Sequence, residues 1–224
     1  MMRAGTFILA GILLAASAYA APHVDGTAKV PADPSPPSHF TPREDGGFDH
    51  AASLGQCPAS IAGFRFREVA VFQADGTDVS CQYDGEEDAS HMTVYFYQST
   101  QAADAAASAQ QAGGAIVQRF PEAEFLSEES ESCAMMIDLL HGLTLAAEAT
   151  TDTTITIGQT PCFIFRLASG VALVTTDKIG PWHLKVRITE IKGETDMSAL
   201  TMQAANILNF ERGVMAGQPA SSLE

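Results

Sequence analysis

The sequence predicts an α+β protein: a mainly antiparallel β-sheet from two βββα halves, with helices packed on one face. Three observations predict it. Residues 182–190, WHLKVRITE, alternate without a break, with Trp182, Leu184, Val186 and Ile188 on one side and His183, Lys185, Arg187 and Thr189 on the other, the period-two signature of a half-buried strand. Each half of the chain carries three strand-like runs followed by a run of helical spacing. Each half also opens on a Cys-containing segment. The repeated order points to an ancient duplication of a βββα unit, although residue identity between the halves is slight.

Residues 1–20 have the form of a cleaved export signal. Arg3 supplies a positive start, residues 7–16 (FILAGILLAA) an apolar run, and Ala18-Tyr19-Ala20 a small-x-small cleavage site. The run is too short to span ~30 Å of hydrocarbon. Residues 21–50 then read as a disordered, Pro-rich leader. Pro22, Pro31, Pro34, Pro36, Pro37 and Pro42 remove backbone donors and restrict their neighbours. Residues 51–212 form the single predicted domain, and residues 213–224 a disordered tail.

Within the domain, residues 64–72 (FRFREVAVF) begin in strand phase and slip near Glu68-Val69, which predicts a bulge. Asp75-Gly76 marks a hairpin. Residues 79–83 (VSCQY) and 92–98 (MTVYFYQ) are the next strands, separated by the polar turn of residues 84–90. Ser99 or Thr100 is placed to cap a helix, with Ala102, Ala105, Ala106, Ala109, Ile116 and Phe120 on its apolar face. Gly113-Gly114 weakens that helix by ~1 kcal/mol per glycine, and the longer reading carries it to Phe120. Residues 123–160 are harder: 135–140 (MMIDLL) fits helix or buried strand, and a strand or two with a solvated loop near Asp152 is expected. The second half repeats the order, with strands at 162–167, 171–176 and 182–190. A helix follows, capped by Thr195 or Asp196, with Arg212 in its last turn and Gly213 just past it.

Cys57, Cys81, Cys133 and Cys162 are an even set in an exported chain, as expected of disulfides. Four cysteines allow three pairings. Local loop size favours Cys57–Cys81 and Cys133–Cys162, each contributing ~3 kcal/mol by loop closure. No C-x-x-C supports a redox or metal role.

Little else in the sequence carries chemistry. His23, His39 and His50 fall in the predicted leader; His91, His141 and His183 are dispersed, with no metal-binding spacing. No nucleophile elbow, phosphate loop or dinucleotide fingerprint is present. The acidic turn DGEEDAS lacks the ligand spacing of a calcium loop. No metal and no cofactor is called for. Without Arg3 the chain keeps one fewer than its 12 Lys and Arg against 27 Asp and Glu, a net charge near −16. That argues against nucleic acid and anionic membranes as partners.

One constellation remains. Arg65, Arg67, Arg166, Lys185 and Arg187 all lie in predicted strands, and would form a basic stripe if those strands shared a sheet face. Guanidinium forks suit carboxylate or phosphate groups. The competing account is cross-strand pairing with Glu68 and Glu190. The expected function is a non-enzymatic accessory or binding domain, periplasmic or secreted, engaging an envelope protein or a small anionic ligand on its sheet. The alternative is an exported hydrolase whose site is assembled from dispersed histidines and carboxylates.

Overall fold

A computed structural model describes residues 38–85, 90–148, 160–191 and 195–216. The expected signal, the leader as far as residue 37, the loop near Asp152 and the end of the tail lie outside the described residues. Eight strands make one antiparallel sheet: β4 (Ser60–Ile61), β5 (Phe64–Val71), β6 (Asp78–Asp84), β7 (Ser90–Tyr97), β8 (Glu124–Phe125), β9 (Cys162–Leu167), β10 (Gly170–Ile179) and β11 (Trp182–Glu190). Their spatial order is β4-β5-β6-β7-β11-β10-β9-β8. Two meanders, β5–β7 and β9–β11, therefore meet along the β7–β11 pair, where Val94 lies opposite Val186. The fold is α+β and mainly antiparallel, as the alternation of the runs predicts.

The turns follow from the residues that make them. Gly76 sits at φ +76° in the β5–β6 hairpin, beside an Asp75 carboxylate that accepts from the Thr77 N–H and hydroxyl. The expected bulge is present, one step earlier than the phase slip implied: the β5–β6 register shifts between Phe66 and Glu68, leaving Arg67 as the extra residue.

The helices occupy both faces of the sheet, not one. The inner face carries Val79, Cys81, Val94, Phe96, Ile164, Leu173, Leu184, Val186 and Ile188. Against it pack α2 (Ser127–Glu148) and α3 (Met197–Met215), which place Cys133, Ile137, Leu200, Ala204, Ile207 and Leu208 in the same core. The outer face carries α1 (Ala105–Arg119), whose Ile116 meets Phe165, Leu167, Ala172 and Val174. Since α1 and α3 lie on opposite faces, the repeat of strand order does not extend to the helices.

α1 runs unbroken through Gly113-Gly114. At Gly113 a Cβ would stand 3.0 Å from the Phe163 ring, so the glycine permits close helix–sheet approach. Its cap is Asp104, which accepts from the Ala107 N–H; Ser99 instead caps a local turn at Gln101 and Ala102. α3 is capped by Asp196, accepting from Ser198 and Ala199. It continues past Gly213 to Met215, so residues 213–215, expected in a disordered tail, are helical.

The segment expected to hold a strand or two is mostly the 22-residue helix α2. Apolar residues lie on both its buried side (Cys133, Ile137) and its exposed side (Met135, Leu139, Leu143), so periodicity cannot declare it. Residues 38–50, expected as part of a disordered leader, are folded. β1 (Phe40–Pro42), β2 (Phe48–His50) and β3 (Gln56–Cys57) form a small antiparallel sheet laid on the inner face. Phe40 and His50 are buried. Phe48 meets Phe66 of β5, and His50 stacks on Phe96 and stands edge-on to Trp182. Buried aromatic area outweighs the proline content of this stretch. Cys57–Cys81 ties the small sheet to β6, and Cys133–Cys162 ties α2 to β9. Among the described residues, no helix is long and apolar enough to cross a membrane.

Candidate functional site: a basic and aromatic strip on the outer face

The five strand cations do not share a face. In an antiparallel pair, directly opposed residues project to the same side. Arg187 opposes Val174 and Thr93, and Val174 lies under α1 on the outer face. Arg166 opposes Val171, which belongs to the inner core. Arg166 is therefore on the inner side, at the rim, where its Nη1 donates to Glu124 Oε2 at 2.8 Å. Strand β9 is covered by α1 on one side and α2 on the other, so Arg166 has no polar phase to follow and leaves at the edge. The predicted five-residue stripe does not form.

Four cations remain outward, in two groups. At one end, Arg67 donates to Gln82, to Glu68 at 3.0 Å and to Asp84 at 3.3 Å. Asp84 also pairs with His91 Nδ1 at 2.8 Å and opposes Arg65 in the register. This network answers its own charge. Glu68 is a neighbour of Arg67 on the same strand, so the cross-strand partners here are Gln82 and Asp84 of β6 and not the expected glutamates; among the described residues Glu190 takes no part in an ion pair.

The second group lies on β11. Lys185 Nζ stands 3.8 Å from the Tyr95 ring centroid and 5.2 Å from that of Tyr97. Tyr95 also stacks on Phe72, and Tyr97 on His183. The result is a layered strip, Phe72, Tyr95, Lys185, Tyr97, His183, along the outer face. Burial pushes the Lys185 ammonium down to about 8, with Asp78 opposing the shift and Arg187 reinforcing it. Arg187, half-buried, has no hydrogen bond and no ion pair among the described residues. Burial lowers its affinity for a proton; Tyr95 counters this, and the nearby Arg119 charge adds to it. Arg119 comes from the last turn of α1, with its guanidinium carbon 5.6 Å from the Phe120 centroid. The Arg119 charge thus acts on Arg187, and that of Arg187 on Lys185, so the three cations are linked along this face. Arg119 carries no sequence signal as a site residue, because nothing local declares where α1 lands on the sheet.

The histidines stand apart. His91 pairs with Asp84. His183 is fully buried under the start of α1 and held below its ordinary value by burial and then by Lys178. His141 lies on α2 beside Asn209 and Arg212 of α3 and the carboxylates of Asp138 and Asp177, and burial lowers its affinity for a proton first of all. Of His39 and His50, both expected in a disordered leader, His50 closes β2 of the small sheet, and His39 sits in the turn before β1, bonded to the Ala74 carbonyl. Among the described residues, no three His, Cys, Asp or Glu side chains are grouped to hold a metal. In comparisons with known proteins the chain matches no family model, no curated protein and no solved structure.

Proposed function

We propose that this chain is an exported, non-enzymatic binding domain that captures an anionic group of a ligand or envelope partner at Arg187, with Arg119 and Lys185 beside it. One observation carries the reading. Arg187 is half-buried and has no carboxylate partner among the described residues, while the charged side chains coupled to it are the cations Arg119 and Lys185. Holding like charges together in a partly desolvated place costs stability, and an arriving phosphate or carboxylate reverses that cost through paired charge-assisted hydrogen bonds. The two disulfides support an oxidising destination, periplasmic or secreted. The acidic remainder of the surface repels anions elsewhere and focuses attraction on this strip.

The test is calorimetric titration with inorganic phosphate at constant ionic strength. Arg187→Gln is expected to weaken capture about tenfold or more, the loss of at least one charge-assisted hydrogen bond, and to flatten its dependence on salt. Arg166→Gln, on the other face, is expected to leave it unchanged. Capture is also expected to weaken as pH rises through about 8, because Lys185 then loses its charge. Equal affinity in Arg187→Gln and the unaltered protein would return the strip to a purely structural role.

A further inference from the structure

Besides its aromatic contacts, the small sheet is joined to the body by one covalent bond and by one buried carboxyl. The covalent tether is Cys57–Cys81. The carboxyl is that of Glu211 of α3. β3 is the edge of the small sheet, and the outward N–H of Gln56 has no strand to meet. It donates to Glu211 Oε2 at 3.1 Å. Glu211 is 1% exposed, and its second oxygen, Oε1, has no partner. Oε1 of Gln56 itself and the hydroxyl of Tyr83 on β6 are among the other buried oxygens in the same condition. Unpartnered buried polar atoms are rare, and each needs a reason.

We propose that Glu211 is a proton latch: as a neutral carboxyl it holds the flap formed by residues 38–56 against α3 and the inner face, and loss of its proton releases the flap about the Cys57–Cys81 tether. A neutral carboxyl gains a donor, and Gln56, already bound through its N–H, offers an unpartnered acceptor. An ionised carboxylate there would have one backbone N–H for a whole buried charge. Burial accordingly pushes Glu211 up to about 8; the Gln56 N–H and Arg43 oppose the shift and Asp49 adds to it. Tyr83 is raised by burial and then by Glu211, which puts the two groups in one electrostatic environment. Arg43 and Asp49 on the flap, with Asp45, complete the charged groups acting on Glu211 and Tyr83.

The sign follows from proton binding. Latched, Glu211 keeps its proton up to about 8; released into water, it loses it near the ordinary Glu value of about 4.3. The latched form therefore weakens about tenfold per pH unit between those two values and levels off above the higher one. His50, on the same flap, acts in the opposite sense. Burial and then His39 lower its affinity for a proton while the flap is closed, so acid favours release through His50.

Amide exchange of the full chain between pH 5 and 8, corrected for intrinsic rates, reads this directly. Protection of amides in β2 and β3, including Gln56, is expected to fall by about tenfold per pH unit through the upper part of that range, while β10 and β11 keep theirs. In Glu211→Gln the fall should vanish, leaving only the shallow rise with pH that His50 gives. A flat wild-type profile, or loss of protection by β10 and β11 together with the flap, overturns the latch. So does an unchanged slope in Glu211→Gln. Should that variant fail to fold, the wild-type slope and the set of amides that carries it still decide the question.

Discussion

Trp182→Ala is expected to lower the free energy of unfolding by about 3–5 kcal/mol, the loss of a large buried aromatic plus the cavity it leaves. Trp182 opens β11, is 6% exposed and stands in phase with Leu184, Val186 and Ile188. Its ring also lies edge-on to His50 of the small sheet, 5.5 Å between centroids. The substitution therefore removes core volume and part of the floor on which the small sheet rests. Urea unfolding followed by far-ultraviolet circular dichroism measures it, since the variant has no tryptophan to report. Trp182→Phe should recover more than half of the loss. A loss below about 1 kcal/mol, the range of a surface substitution, would contradict the placement of this ring. So would native emission at the position of fully hydrated indole.

Arg212→Met is expected to cost about 3 kcal/mol, because it strands a partly buried carboxylate. Arg212 is a three-way tie. Its Nε pairs with Asp177 of β10, its Nη2 donates to Thr160 Oγ1 at 2.7 Å, and its Nη1 donates to Asn209 within α3. The Thr160 N–H in turn donates to Asp138 of α2 at 3.2 Å. One guanidinium thus joins α3 to β10 and, through Thr160, to α2. Adding Asp177→Asn to Arg212→Met should return part of the loss, since the stranded charge is gone, and a double-mutant cycle gives the coupling. A second readout separates this from simple loss of packing. The Arg212 charge helps hold His141 below its ordinary value, so His141 should titrate at higher pH in Arg212→Met. An unmoved His141 with additive mutational effects would mean that the tie is not electrostatic.

These effects bear on what was legible in the sequence. Strands β5, β6, β7 and β11 alternate because α1 stops short of most of their outer face, leaving it half wet; their periods could be seen. Strands β9 and β10 have helices on both sides and read as continuous apolar runs. That is why the face of Arg166 was not legible and why a five-residue stripe was expected. α2 was missed for a related reason. Ile137 and Cys133 are buried, yet Met135, Leu139 and Leu143 on its other side are exposed and also apolar, so no stripe of one kind stands out. The small sheet was hidden by composition. Pro42 lies in a strand of three residues, and Phe40, Phe48 and His50 are too widely spaced to give a period. What declares them is tertiary: contact with Phe66, Phe96 and Trp182. The disulfide pairing was legible because both loops are local. Arg119 and Glu211 were not, since each gains its meaning from an element distant in sequence.

The account turns on Arg187 as an anion receptor, and the Nε–Hε resonances of the arginines in a nitrogen-15 correlation spectrum test it most directly. On titration with inorganic phosphate at constant ionic strength, the Arg187 resonance is expected to shift along a saturating curve, with Arg119 following at the same midpoint. Arg166, paired with Glu124 on the opposite face, and Arg67, enclosed by Glu68, Gln82 and Asp84, should stay in place. Small, linear and equal shifts across all the arginines would contradict the account.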